Sequence, residues 1–184
     1  MLLLNFKPYP QLETPRLLLR RVTRADAEAL FELRSDIDIM RQLDKTPVRR
    51  MEEILELIDR MESDIEKTNG IGWGMCLKTN ERIIGVIGFH RIEKEHHRAE
   101  VGYMLKPAFH RQGLMHEAMQ VVLAYGWNEM NLHSVEANIK PDNAASKNLL
   151  LKNGFVTEAY FKENYFFEGK FLDSEILSLI RPKT

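Results

Sequence analysis

The chain has 184 residues, 44% of them hydrophobic, enough for one good-sized core and too few for two, so residues 1–184 read as a single domain. Its 26 Lys and Arg against 27 Asp and Glu leave a net charge of −1 with no charged blocks, and nothing here asks for nucleic acid or an anionic membrane as a partner. A single cysteine, Cys76, excludes an intrachain disulfide framework and a cysteine zinc site, and reads as a buried thiol in a strand.

The apolar start Met1-Leu2-Leu3-Leu4 is cut short by Asn5, Lys7, Pro8 and Pro10, so it predicts neither an export signal nor a spanning helix, and a reducing, cytoplasmic setting is expected. Residues 17–22 predict a first strand. Thr23-Arg24-Ala25-Asp26 is a capping-box-like start for a helix carrying Ala27, Leu30, Phe31 and Leu33. Thr46-Pro47, a cap followed by proline at the first helical position, predicts a second helix in which Met51, Ile54, Leu55, Ile58 and Met61 repeat at helical spacing, ending near Asn69-Gly70. Residues 73–78 and 82–89 flank the turn signal Thr79-Asn80 and predict an antiparallel hairpin. A third strand over 99–105 is stopped by Pro107, and Gly113 leads into a helix with Met115, Ala118, Met119, Val122 and Leu123 on its apolar side. A strand over 133–139, a helix over 143–152 and two closing strands around 160–167 and 171–179 complete the order β-α-α-β-β-β-α-β-α-β-β. That order predicts an α/β fold: a mixed, mostly antiparallel sheet of about seven strands with helices on both faces. The aromatic group Tyr160, Phe161, Tyr165, Phe166 and Phe167 reads as core at strand spacing, with an acceptor pocket or a homodimer contact as its other roles.

The chemistry concentrates at residues 104–115. A strand end, a turn carrying His110, Arg111 and Gln112, and a helix start follow one another there. A helix amino end exposes unpaired N–H groups and positive dipole, and Gly113 removes the side chain where an anion would approach the backbone. On local physics alone this is either an anion site or an ordinary strand-to-helix loop.

The segment resembles the pyrophosphate-binding motif of the GNAT acetyltransferases, Arg/Gln-x-x-Gly-x-Gly/Ala after a strand and a proline. Residues 136–155 are similar to the same family's next strand, its Asn-x-x-Ser helix start at Asn143 and Ser146, and its closing Gly154-Phe155. The opening Glu13-Thr14-Pro15-Arg16-Leu17-Leu18-Leu19-Arg20 and the tail Gly169-Lys170-Phe171-Leu172-Asp173 resemble the branch that acetylates ribosomal-protein N-termini, so the likeness runs from about residue 12 to about 180. Two positions depart from the pattern. His110 stands where Arg or Gln is usual and still donates a hydrogen bond, though its charge depends on pH, and Met115 stands where Gly or Ala is usual and could displace the helix start.

The resemblance implies transfer of an acetyl group from acetyl-coenzyme A to a primary amine by direct attack in a ternary complex, with no metal. The backbone of Met104 and Leu105 would pair with the pantetheine arm, and an N–H near Leu105 would face the thioester carbonyl. His110, Arg111, Gln112, Gly113, Leu114, Met115 and His116 would hold the pyrophosphate, and Asn138, Asn143 and Ser146 would meet the cofactor arm. Glu100, then Glu136, are the candidate bases; Ser146, with Tyr103 and the 160–165 region as competitors, is the candidate acid. Each glutamate has an ion-paired surface role as its alternative, and Ser146 a helix-start hydrogen bond with Asn143 as the cap. The nearest branch implies a protein or peptide α-amine as acceptor. A small amine (polyamine, amino sugar or antibiotic) is the rival acceptor, and an acyl-coenzyme A sensor without turnover is the rival class.

Other signals carry less. Gly70-Ile71-Gly72-Trp73-Gly74 lacks the last glycine of a dinucleotide fingerprint, His90, His96 and His97 do not form a metal-ligand pattern, and no Gly-x-Ser-x-Gly surrounds Ser174 or Ser178.

Overall fold

The computed structural model describes residues 1–183. Eight strands form one sheet in the order β1-β2-β3-β4-β5-β6-β8-β7. They are β1 (Leu12–Glu13), β2 (Leu17–Arg21), β3 (Ile71–Leu77), β4 (Asn80–Glu93), β5 (Arg98–Leu105), β6 (Ser134–Ile139), β7 (Val156–Phe167) and β8 (Lys170–Ile180). The helices are α1 (Ala27–Ser35), α2 (Ile37–Gln42), α3 (Met51–Glu66), α4 (Leu114–Asn128) and α5 (Ala144–Lys152). Every strand pair is antiparallel except β5 with β6.

Strand alternation sorts the side chains between two helical layers. Leu17, Leu19, Trp73, Met75, Phe89 and Val101 meet Ala118, Met119 and Val122 of α4 on one face. On the other, Cys76, Ile83 and Met104 pack under Leu30 and Leu33 of α1 and Ile54 and Ile58 of α3. Helices therefore cover both faces as the pattern predicts, and Cys76 is a fully buried free thiol in β3. Among the described residues no helix is long and apolar enough to cross a membrane.

The structure departs from the sequence-based expectation in four places. The second long helix does not begin at Thr46-Pro47. Arg50 is its N-cap, because Glu53 Oε1 accepts from the amides of Arg49 (3.1 Å) and Arg50 (2.9 Å), while residues 46–48 stay extended with Val48 N–H donating to Arg34 O at 2.9 Å. A short helix, α2, intervenes, capped by Asp36, whose carboxylate accepts from the amides of Asp38 and Ile39. A two-residue strand, β1, adds an edge to the sheet. Finally, the aromatic group is not core: Tyr160 is 51%, Phe161 45% and Phe166 62% exposed. β7 is the sheet's outer strand, and Phe166 stacks edge-on against Phe171 of its own hairpin, 5.1 Å between centroids.

The predicted capping box is present, as a 3-10 turn over Arg24–Asp26 that runs into α1. Buried Asp26 accepts from Thr23 N (2.8 Å) and twice from Arg20 (2.9 and 2.6 Å), tying the helix start to β2. Burial alone would raise the Asp26 pKa, but the Arg20 and Thr23 hydrogen bonds outweigh it and hold the carboxyl below its usual value. A carboxylate whose folded pKa is depressed contributes stability above its unfolded pKa, about 4 for aspartate, and loses that contribution as pH falls through the folded value. The urea midpoint is therefore expected to fall steadily below about pH 4, and to do so less steeply in Asp26→Asn, which starts from a lower midpoint; an unchanged acid slope in that variant would remove Asp26 from the account.

Candidate active site

β5 and β6 run parallel and side by side for only three register pairs, Arg98 with Ser134, Ala99 with Val135 and Glu100 with Glu136, and then part. The rest of β5 has β4 on one side and an opening on the other. The Lys106 amide donates to Ile84 O at 2.9 Å and Met104 is registered opposite Val86, so even-numbered residues of β5 bond to β4 and the N–H and C=O of Tyr103 and Leu105 face the opening. This corrects the expected pairing of Met104 with a ligand arm, because its backbone already serves the sheet. At Leu105 the carbonyl is occupied as well, by His110 Nε2 at 2.8 Å. A carbonyl oxygen only accepts, so Nε2 carries the proton.

The turn into α4 is built to present amides. Pro107–Phe109 makes a 3-10 turn, Arg111 (φ 58°) and Gly113 (φ 76°) are both left-handed, and α4 starts at Leu114. The first bond of the α4 ladder is Glu117 N to Gly113 O at 3.0 Å, and among the described residues no backbone acceptor takes the amides of residues 111–116. Alternating left- and right-handed residues followed by a helix start form a concave nest of N–H groups suited to an oxyanion. His116 Nδ1 is sealed from solvent and has no partner. Of the three side-chain donors on the turn itself, only exposed Arg111 has no partner among the described residues, since His110 is bound to Leu105 O and Gln112 Nε2 donates to Ala108 O at 3.0 Å. Leu114 and Met115 are buried in the core, so Met115 leaves the helix start in place.

The nest is braced from behind. Glu117 accepts from Thr14 Oγ1, from the Arg16 amide at 2.9 Å and from Arg16 Nε at 2.7 Å, while Arg16 Nη1 reaches Gln112 O at 3.0 Å. The segment before β2 thus locks the first turn of α4 and the loop that feeds it.

On the same face as α4, Tyr103 and Ser146 share a 2.6 Å hydrogen bond, and Asn143 caps α5 by accepting from the Ser146 amide at 3.0 Å. Burial pushes the Tyr103 phenol up to about 12, opposed only by Ser146. Glu100 projects from the opposite face. Its Oε1 lies 3.2 Å from His90 Nε2, and its Oε2 accepts from Arg91 Nη1 at 2.9 Å. Burial works to raise its pKa, but the His90 hydrogen bond and the charges of His90 and Arg91 prevail and keep it below the usual range. Glu136 sits beside it in register, 3.7 Å from Arg98. Asn138 is exposed at the parting end of β6. The opening therefore joins a hydroxyl pair on the α4 and α5 side to a bound carboxylate on the other.

The sequence points to Glu100, Tyr103 and Ser146 but not to the partners of Glu100. His90 and Arg91 were unreadable before the β4–β5 register placed His90 opposite Glu100. Thr14 and Arg16 carry no local signal of their role, because their bonds to Glu117 span about a hundred residues. Among the described residues no group of histidine, cysteine and acidic side chains could hold a metal ion.

Comparison with known proteins completes the identification. Residues 16–156 match the family model described as "Acetyltransferase (GNAT) domain". The uncharacterized N-acetyltransferase YoaA of Bacillus subtilis (strain 168) is 33% identical over 175 residues, covering 95% of this chain and 99% of YoaA. Among solved structures, a GNAT-family acetyltransferase from Bacillus anthracis is 27% identical with a TM-score of 0.82, covering 93% of this chain and 98% of that one. The ribosomal-protein-S5-alanine acetyltransferase from Vibrio fischeri shares the fold at 22% identity, TM-score 0.80, over 94% of this chain and 100% of that one. With the parted strands, the amide nest and the hydroxyl pair in place, the chain belongs to the GNAT family and is an acetyl-coenzyme A-dependent N-acetyltransferase.

Proposed function

We propose that the acceptor is an α-amino group at the end of a protein or peptide. The observation that carries this reading is the state of Glu100. A carboxylate already bonded to Arg91 and His90 is a weak base, well placed to attract an ammonium group and to take its proton only when that proton is loosely held. An α-amine, with a reference pKa of about 8, costs about 3 kcal/mol less to neutralise at pH 7 than a lysine amine at about 10.4. The exposed aromatics of β7 support the same reading, since they do not close a cage around a small amine. The fold match to an S5-alanine acetyltransferase is in keeping with it.

In this scheme the amides of residues 111–116 hold the donor's pyrophosphate, and the free N–H of Leu105 or Tyr103 faces the thioester oxygen. The neutral amine attacks the thioester carbonyl across the opening; a C–N bond forms, the nitrogen gives up a proton to Glu100 or water, the C–S bond breaks and the sulfur leaves as thiolate. Within the Tyr103–Ser146 pair one hydroxyl donates to the other, which in turn donates to that sulfur. With a phenol at about 12 and a thiol near 8.5, complete transfer of the tyrosine proton is uphill by about 5 kcal/mol, so the pair stabilises the thiolate and solvent supplies its final proton. Glu117→Gln, which weakens the brace behind the nest, is expected to raise the Kd for acetyl-coenzyme A about tenfold with little change in kcat, as read by calorimetry and steady-state rates.

The test is thiol release with acetyl-coenzyme A and three acceptor types: peptides with free Ala, Ser or Met ends, spermidine, and an aminoglycoside. Turnover with peptides alone supports the reading; turnover confined to spermidine or the aminoglycoside would overturn it.

A further inference from the structure

Arginines in this chain are generally met by acids: Arg16 by Glu117, Arg20 by Asp26, Arg24 by Asp59, Arg91 by Glu100 and Arg98 by Glu93. Among the described residues Arg34, Arg49, Arg111 and Arg181 have no acidic partner, and of these only Arg34, on α1, has a guanidinium nitrogen shut away from solvent. Its Nε is sealed from solvent with no hydrogen-bond partner, and no carboxylate offsets its charge. Its side chain lines a cleft of about 220 Å³ between α1, the loop after α2 and α3, together with Lys45 and Arg60 over an apolar floor that includes Met40 and Leu57. The two acids in the cleft leave Arg34 uncompensated: Glu53 is turned to the amides of Arg49 and Arg50, and Glu56 lies 3.8 Å from Arg60. Burial and the nearby Arg60 pull the Arg34 pKa down; partial burial of the Lys45 side chain, Arg34 and Arg91 do the same to Lys45, opposed by Glu100. A guanidinium nitrogen shut away from water with no acceptor is costly in the free protein, and two cations lining one concave space favour an anion between them.

We propose that this cleft binds a compact oxyanion, a phosphate or a carboxylate, held by Arg34 and Lys45 with Arg60 at the rim. The cleft shares no lining residue with the amide nest at α4, and Lys45 places it within electrostatic reach of Arg91 and Glu100.

The test is thermal unfolding of the whole chain without acetyl-coenzyme A, in chloride and in millimolar inorganic phosphate or acetate, for the wild type, Arg34→Met and Lys45→Met. Phosphate at the α4 amides and its general salting effect act on all three proteins alike, so only the difference between them counts. The expected result is a phosphate- or acetate-induced rise in Tm that is larger in the wild type than in either variant; which anion gives it identifies the ligand class. Arg34→Met in chloride should itself melt higher by about 3 °C, because it removes a guanidinium whose sealed Nε has no acceptor. Equal anion shifts in all three proteins, or a lower Tm for Arg34→Met in chloride, would overturn the proposal. Lys45, exposed on its loop, keeps the comparison available if Arg34→Met does not fold. Acetyl-coenzyme A binding is expected to survive both substitutions, and its loss in the wild type would count against the nest alone.

Discussion

Trp73→Ala is expected to lower the stability of the chain by about 4 kcal/mol, read as a fall in the urea midpoint at unchanged slope. Trp73 is completely buried in the middle of β3, its Nε1 donates to Pro10 O at 2.7 Å, and its ring meets Tyr125 of α4 edge-on at 5.4 Å. The alanine would leave a cavity between sheet and helix and an unmet carbonyl at Pro10, and the two costs add. Trp73→Phe keeps most of the volume and loses the hydrogen bond, so it should cost about half as much. The reach of this residue extends to the amino end. Leu2 and Phe6 are buried in the same core, and Tyr9 O–H donates to Gly72 O at 2.5 Å, so residues 1–10 are a packed part of the domain. A truncation that removes them should destabilise the chain as strongly as the tryptophan change does; a truncated chain with the parent's midpoint would contradict that packing.

For Glu100→Gln, kcat/KM toward the acceptor should fall about a hundredfold while acetyl-coenzyme A affinity holds. The glutamine keeps the shape and loses the charge that Arg91 and His90 now balance. The pH profile of the parent enzyme is the sharper measurement. Because the Glu100 pKa is held below the usual range, the carboxylate is already ionised throughout neutral pH, and the rise of kcat/KM with pH belongs to the amine as it loses its proton. The rise should be tenfold per unit and level off at about 8 for an α-amine, against about 10.4 for a lysine. A plateau reached by about pH 5 would make Glu100 the titrating group and end its assignment as a pre-ionised acceptor.

The legible parts of the chain were those with a local physical signature. The α4 start announced itself through Gly113 and Pro107, and the α5 cap through Asn143; both stand where expected. Thr46-Pro47 misled because a good cap followed by proline permits a helix without compelling one. Glu53 offers the amides of Arg49 and Arg50 a better acceptor a turn later, and the stretch before it is pulled straight by the bond from Val48 to Arg34. The aromatic strand misled because period-two spacing tells which residues share a face and says nothing of whether a helix lies over that face. Glu100 and Ser146 could be named from the sequence as residue types beside a motif. That one would be clamped by His90 and Arg91, and the other bonded to Tyr103, depended on register and on the parting of two strands, which no window of sequence contains.

That parting also divides the molecule mechanically. β6, β8 and β7 with α5 join the remainder of the sheet through three parallel pairs, whereas β6 and β8 hold each other through six. Beyond those pairs the carboxyl-terminal strands are held to the body by side chains, with Val135, Ala137, Leu150 and Leu177 in the core of α4 and Tyr103 bonded to Ser146, so a donor bound across the gap would add a clasp between the two. Amide hydrogen exchange should show it directly: protection of Ser134–Ile139 would rise with acetyl-coenzyme A by more than protection of β3, far from the seam, does. Through β8 that clasp would reach β7, where the exposed aromatics stand.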